Sequence, residues 1–388
     1  MDTYGGGLGQ ASATSGNQTD STGNVSPVVI LSSDGNTNYQ GAKGASINSI
    51  YKRASNTPDA LNGQSVGFFP YTAPSPLLRS WNLTIQRQVS QSMVFDIGYV
   101  GSNQSHLPFT TDLNQVPENL LGPNDAAFRP YKFQSVTGNT TDGIANYNAF
   151  QTGLTRRMAA GLMFNANYTW SHMLSNQDSS GWGSQQGATP FQRAYNPMAN
   201  YGNSNFDIRH MFKMHGSYDL PVGRGRRFAN SNKALDYAIG GWTLFGDFLR
   251  QGGSPFTVNM LTNNSFSQSS NNLWYPNLVG DPYAVAGGQT IDHWFNVNAF
   301  AAPTPGTFGN VGRNTLWGPP LTAVNASLHK VFRFTERMNL DFSANATNLI
   351  NHPSFAIPDK NIGTGRVGRI SGTSVGARAM ELVAKFRF

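Results

Sequence analysis

The sequence predicts an all-β chain, an antiparallel transmembrane β-barrel wall of about nine to ten long strands. Three observations predict it. Charged residues make up 12% of the chain and aromatic residues another 12%, whereas a soluble domain carries about 25% charged residues. Apolar and polar residues alternate with period two over many segments, as side chains do along a strand. The links between these segments alternate between short and long. A wall with lipid on one face and water on the other has all three properties.

The strands follow in chain order. Trp81, Leu83, Ile85 and Val89 alternate with Asn82, Thr84, Gln86 and Gln88. Phe95, Ile97 and Tyr99 alternate with Asp96 and Gly98. A less regular strand covers 144–156. Leu162, Phe164, Ala166, Tyr168 and Trp170 oppose Met163, Asn165, Asn167 and Thr169. Phe212, Met214, Gly216 and Tyr218 oppose Lys213, His215 and Ser217. A second irregular strand covers 241–251 and is expected to run on through Gly252-Gly253 towards Val258. Val324, Ala326, Leu328 and Phe332 oppose Asn325, Ser327 and His329. Leu340, Phe342, Ala344 and Ala346 oppose Asn339, Asp341, Ser343 and Asn345. Met380, Leu382, Ala384, Phe386 and Phe388 oppose Glu381, Lys385 and Arg387. Most of these segments reach the ~9 to 11 residues that a tilted strand needs to cross a bilayer, above the ~5 to 6 usual in soluble sheets.

Short links are read at 90–92, 157–161 and 333–337, with an intermediate one at 220–240. Long polar links are read at 104–143, 174–208, 262–320 and 350–377. Tight periplasmic turns and long extracellular loops give that alternation. Residues 1–78 are rich in Gly, Ser and Asn and read as a flexible extracellular loop of the barrel, with Ser46 to Lys52 a weak strand candidate; 79–388 is wall. With the last strand ending in the periplasm, nine strands place the first one running inward from outside. Bacterial single-chain barrels have even strand numbers, so the expectation is a missed strand in 1–78 or a fragment. Met1 to Gly7 lacks the basic and apolar regions of a signal peptide. No apolar run approaches the ~20 residues of a membrane helix.

Aromatic residues fall near strand ends. Trp81, Tyr99, Tyr168, Trp170 and Phe212 lie near the outer ends; Tyr218, Trp242, Phe332, Phe386 and Phe388 lie near the inner ends. Their amphipathic rings suit two girdles at headgroup level.

Several stretches, taken together and in order, resemble TonB-dependent receptors of the Oar-like type. They are Arg79-Ser-Trp-Asn-Leu-Thr-Ile-Gln-Arg-Gln88 with Phe95-Asp-Ile-Gly-Tyr-Val-Gly-Ser102; Asn146-Tyr-Asn-Ala-Phe-Gln151; and Asn167-Tyr-Thr-Trp-Ser-His172. Asn205-Phe-Asp-Ile-Arg-His210, Leu220-Pro-Val-Gly-Arg-Gly-Arg-Arg-Phe228 and Gly240-Gly-Trp242 continue the series. Trp294-Phe-Asn296, Phe308-Gly-Asn310, Gly312-Arg-Asn314 and Asn348-Leu-Ile-Asn-His-Pro353 complete it. The resemblance implies the C-terminal portion of a 22-stranded barrel whose lumen normally holds a plug. No plug domain or TonB-contacting segment is legible here. TonB-coupled uptake is therefore expected of an intact protein that carries the plug and N-terminal part, in a bacterial outer membrane. The alternating Leu382, Ala384, Phe386 and Phe388 resemble a C-terminal signal for the barrel-assembly machinery, which would engage it by strand addition.

Other chemistries find little support. The net charge is +7, but the basic residues are scattered, so no nucleic-acid partner is expected; outer-membrane lipid is. The absence of Cys removes disulfides and thiol chemistry. No His pair has metal-binding spacing, and His210 and His215 fall on opposite faces of one strand. Asp292-His293 lacks a nucleophile elbow, and no carboxylate pair suggests glycoside hydrolysis. No enzyme activity, cofactor or metal is expected. Trp182, Phe191, Trp274 and Tyr275 lie in long polar loops and either contact a sugar, peptide or protein ligand or pack the loops on each other. The rival reading is a secreted soluble β-protein, an adhesin or carbohydrate-binding module.

Overall fold

The computed structural model describes residues 62–68, 70, 73–178, 192–223, 226–228, 233–264, 266 and 274–388, together with the backbone of 18–19 and 25–26. Nine long strands form one antiparallel meander: β1 (Leu77–Ser90), β2 (Met93–Asp112), β3 (Ser135–Ala159), β4 (Leu162–Ser175), β5 (His210–Asp219), β6 (Trp242–Gln251), β7 (Leu321–Arg333), β8 (Asn339–Thr347) and β9 (Ala379–Arg387). Each pairs with its neighbours in the chain, so sheet order is chain order. All nine lie where the alternation places them.

Three boundaries differ from the sequence reading. Residues 104–112 and 135–143, expected as loop, belong to β2 and β3. They are mostly polar, so they show no clear alternation, and the ladder there carries register breaks around Leu107 and a positive φ of 58° at His106. β6 stops at Gln251 instead of running to Val258. Gly253 packs so closely on Gly318 that a Cβ there would sit 1.8 Å from the Gly318 carbonyl oxygen, and Pro255–Phe256 pairs with Leu316–Trp317 off the wall. Within the segment read as flexible, Ser65–Phe68 is a strand, parallel to residues 135–138 of β3. Ser46 to Lys52 lies outside the described residues.

The register carries the period-two pattern across the whole wall. Leu162, Tyr218, Leu244, Leu328, Ala344 and Leu382 form one continuous cross-strand row. The adjacent row, pointing to the opposite face, is Met163, Ser217, Phe245, Ser327, Asn345 and Glu381. One face is therefore apolar and the other largely polar. The apolar face is not covered: Leu83 is 68% exposed, Ile85 63%, Trp170 56% and Leu382 71%. A soluble sandwich buries such a face against a second sheet. The two end strands, β1 and β9, are exposed at every position.

Connections segregate by rim. Residues 91–92, 160–161, 220–241 and 334–338 join strands at one end, the turn rim. Residues 113–134, 176–209, 252–320 and 348–378 join them at the other, the loop rim. The 220–241 link holds a short helix, α1 (Lys233–Ile239). No helix among the described residues is long and apolar enough to cross a membrane. The hydrophobic core of this protein lies not in the wall but at the loop rim, where Phe256, Val258, Tyr275, Phe295, Ala299, Phe300, Val311 and Leu316 cluster.

Candidate functional site: the loop cap and the two-faced wall

The four long connections fold together into a cap. Its footing is polar. At the end of β4, Ser175 accepts from the Arg313 guanidinium, which also forms an ion pair with Asp178. Both charged side chains are almost wholly buried, at 1% and 4% exposure. Asp178 is further held by the hydroxyls of Ser175 (2.5 Å) and Ser204 (2.8 Å) and by the amide of Asn205 (2.6 Å). A buried charge persists only when paired and hydrogen-bonded, and here that support comes from three segments, 175–178, 204–205 and Arg313. Asn314, in the left-handed region (φ 52°), donates to the Asn203 carbonyl and the Asn205 side chain at 2.8 and 2.7 Å. Asp207 accepts from the Met173 amide and from Arg209, both at 2.8 Å.

Further contacts join the remaining loops. Glu118 and Arg193 form a two-pronged ion pair at 2.8 and 3.0 Å, joining 113–134 to 176–209. That hydrogen bond holds the Arg193 guanidinium above its ordinary pKa. Gln192 donates to the Gly309 carbonyl at 3.1 Å. Gly309 is required there, because a Cβ would meet the Tyr275 carbonyl oxygen at 2.0 Å. The Trp294 amide donates to Gly368 (2.8 Å) and the Ile370 amide to Ile291 (2.7 Å), binding 252–320 to 348–378.

Trp274 and Tyr275 are buried in this cap, at 7% and 4% exposure. The Tyr275 hydroxyl donates to Asn200 at 2.8 Å. The Tyr275 ring belongs to the apolar cluster of the cap, which is the placement the packing reading expects. Trp182 and Phe191 lie outside the described residues. Aromatic side chains that the described part of the cap exposes include Phe128 (53%), Tyr131 (50%), Tyr195 (52%), Phe206 (45%) and Tyr283 (43%), none of them singled out by the sequence. Isolated aromatics in polar loops carry no periodic signal.

Burial pushes the Tyr275 phenol upward. A raised folded-state pKa means that its contribution is fully present below the ordinary tyrosine value near 10 and is lost as pH climbs through the raised value. The cap should therefore loosen above about pH 10, read as faster proteolysis of the loops. Tyr275→Phe should remove that alkaline step and weaken the cap at neutral pH by about 1 kcal/mol through the lost Asn200 bond. An unchanged alkaline profile in the variant would count against the assignment.

Of the ten aromatics read as girdle residues, the eight on β1, β2 and β4 to β7 lie on the apolar face. Trp81, Tyr99, Tyr168, Trp170 and Phe212 fall towards the loop rim and Tyr218, Trp242 and Phe332 towards the turn rim. The Trp81 indole lies over Gly101, which leaves it room. The Tyr99 hydroxyl donates to Asn148 at 2.6 Å, and Tyr168 shares a 2.8 Å hydrogen bond with His210. Just beyond, on the same face, Arg79, Asn103 and Asn146 form a polar chain with bonds of 3.2 and 2.7 Å. Trp242 meets Phe332 and Phe342 edge to face at 6.2 and 6.0 Å. Leu382, Ala384 and Phe386 share the apolar face of β9, and Phe388, 95% exposed, follows it.

The polar face is laced by hydrogen bonds: Asn325 to Asp247 (3.0 Å), Ser327 to Asn345 (2.5 Å) and His329 to Asp341 (2.5 Å). Met163, His215, Phe245, Asp247 and Asn325 line a shallow groove of about 400 Å³ on it. Among the described residues no group of His, Asp or Glu could hold a metal ion. Asp292 is tied to Arg369 at 2.8 Å. His210 and His215 lie on opposite faces, as their spacing requires.

Long antiparallel strands, one lipid-facing side, one polar side and segregated loops define a membrane β-barrel wall. The chain belongs to the outer membrane beta barrel domain family, whose model matches residues 5–381, and its place is the bacterial outer membrane. No curated protein sequence matches it. Solved structures with similar chains include the outer membrane transporter YddB from Escherichia coli (10% identity, TM-score 0.44, covering 84% of this chain and 34% of that one). Others are the pyoverdine outer membrane receptor FpvA from Pseudomonas aeruginosa PAO1 (10%, 0.37, 81% and 30%) and the FrpB iron transporter from Neisseria meningitidis (10%, 0.38, 84% and 33%). The chain thus spans about a third of the length of these transporters.

Proposed function

We propose that this chain is part of the barrel of a TonB-dependent outer-membrane receptor, whose loop cap captures a ligand outside the cell for energy-coupled uptake by the intact protein. The observation that carries the reading is the cap: four long loops locked by buried polar bonds stand over a wall that has a hydrated face. Passive pores need no such rigid lid. Ligand contact is assigned to the exposed cap aromatics Phe128, Tyr131, Tyr195 and Phe206, and the girdle roles to the eight aromatics named above. In the same reading the outward-facing Leu382, Ala384, Phe386 and Phe388 are what the barrel-assembly machinery engages. The protein is read as a transporter, not an enzyme.

Growth of a strain lacking the gene tests this, in media where one oligosaccharide, peptide or iron chelate is limiting. A growth defect is expected in at least one medium. In the parent strain, a protonophore should abolish uptake of that nutrient and spare its binding to cells in the cold. Equal growth under every limitation would overturn the transport reading. Uptake that survives the protonophore would overturn the coupling.

A further inference from the structure

The turn rim carries a group of arginines. Arg156 and Arg157 close β3; Arg226 and Arg227 lie in the link from β5 to β6. The two connections are adjacent: the Asp219 amide donates to the Gly161 carbonyl at 2.7 Å, and a Cβ on Gly161 would lie 3.9 Å from the Arg226 guanidinium. Asp219 reaches Arg226 at 3.4 Å but also accepts from Thr243 at 2.9 Å. Arg156 donates to the Ala159 carbonyl at 3.2 Å, and its Nε is buried without a hydrogen-bond partner. Arg227 lies over the Phe228 ring at 5.4 Å.

Apolar groups stand beside these charges. Met158 is 52% exposed, Phe228 54%, Tyr237 49% and Ile239 41%. Tyr237 and Ile239 belong to α1, which is itself fastened to the wall. Lys330 donates to the Tyr237 and Ala238 carbonyls at 2.5 and 3.2 Å, and the Trp242 indole N–H to Ala238 at 3.2 Å. Tyr237 also meets the Phe332 ring at 5.7 Å. Lys330, Trp242 and Phe332 all lie on the apolar face of the wall, so α1 is fastened to its lipid side. Lys330 is committed to the last carbonyls of α1 and Arg226 shares the Asp219 carboxylate with Thr243, so among the described residues of this corner Arg156, Arg157 and Arg227 carry positive charge outside any ion pair.

Apolar side chains next to guanidinium forks, at the end of a lipid-facing wall, are complementary to an acyl chain joined to a phosphate. We propose that this corner binds an anionic phospholipid headgroup in the inner leaflet. Its phosphate would sit among Arg156, Arg157, Arg226 and Arg227, and its chains against Phe228, Tyr237 and Ile239.

Native mass spectrometry of the detergent-extracted protein, supplied with equal phosphatidylglycerol and phosphatidylcholine, tests the proposal. Phosphatidylglycerol should be retained selectively. Arg156→Gln/Arg157→Gln/Arg226→Gln/Arg227→Gln should lose it, by about five-fold per arginine removed. Because Arg156 is partly buried, the exposed pair Arg157→Gln/Arg227→Gln is measured too and should lose about five-fold per residue, whereas lysine at the same two sites should retain most of it. Equal retention of both lipids by the wild type would overturn the proposal. So would an equal loss from Arg366→Gln/Arg378→Gln, two exposed arginines of the cap. Heat-dependent electrophoretic mobility reports separately whether the wall itself has formed.

Discussion

Arg313→Ala is expected to free the cap from the wall. The substitution leaves the Asp178 carboxylate buried among Ser175, Ser204 and Asn205 without its cation. Breaking a buried pair from one side costs about 3–5 kcal/mol. The effect should be local, because the wall ladder does not depend on that pair. Hydrogen exchange should rise across 176–209 and 252–320 and stay unchanged in β6 to β9. Asp178→Ala should do the same. Arg313→Met/Asp178→Leu, which removes both charges, should cost much less, because no uncompensated ion remains. A single variant that exchanges like the wild type would show that the pair is not what anchors the cap.

Met214→Arg is expected to block insertion, and His215→Arg is not. Met214 sits mid-strand on the apolar face, between Ala166 and Phe248. An arginine near the middle of the lipid layer costs about 2–4 kcal/mol. His215 is the next residue and points the other way, into the groove beside Asp247. Lys213 already places a charge on that polar face. The pair of variants differs by one position and almost nothing in composition, so folding yield into vesicles isolates the face. Equal yields from both would refute the lipid-side assignment, and with it the girdles.

Nearly all of the wall was legible in the sequence. Period two is a local property, and Leu162 to Trp170 displays it without help from any other strand. Failures came where lipid does not impose the pattern: residues 104–112 and 135–143 are strand beyond the apolar band, with mostly polar side chains. The cap was far less legible. Its anchor joins Arg313 to Asp178 across a sequence separation of 135, and no spacing rule links the two. Gly312-Arg-Asn314 and Asn205-Phe-Asp-Ile-Arg-His210 were visible as family-like strings. Their common purpose, footing the loops on β4, became evident only when the chain brought them together. Tyr275 was visible as a loop aromatic, but burial is decided by neighbours such as Asn200 and Gly309 that sequence does not reveal.

The cap's separate core has a kinetic consequence. A loop as long as 252–320 would close at an entropic cost if its ends were free, a cost that grows with loop length. Here β6 and β7 hold those ends side by side, as adjacent strands do for each of the other three loops. The strands thus serve the loops as a set of clamps, and the loops have nothing comparable to offer the strands. Assembly should accordingly run in one order, the ladder zipping before Phe256, Phe295 and Leu316 find each other. Until it does, these side chains travel uncovered, and the interval between the two events is when this chain most needs a chaperone.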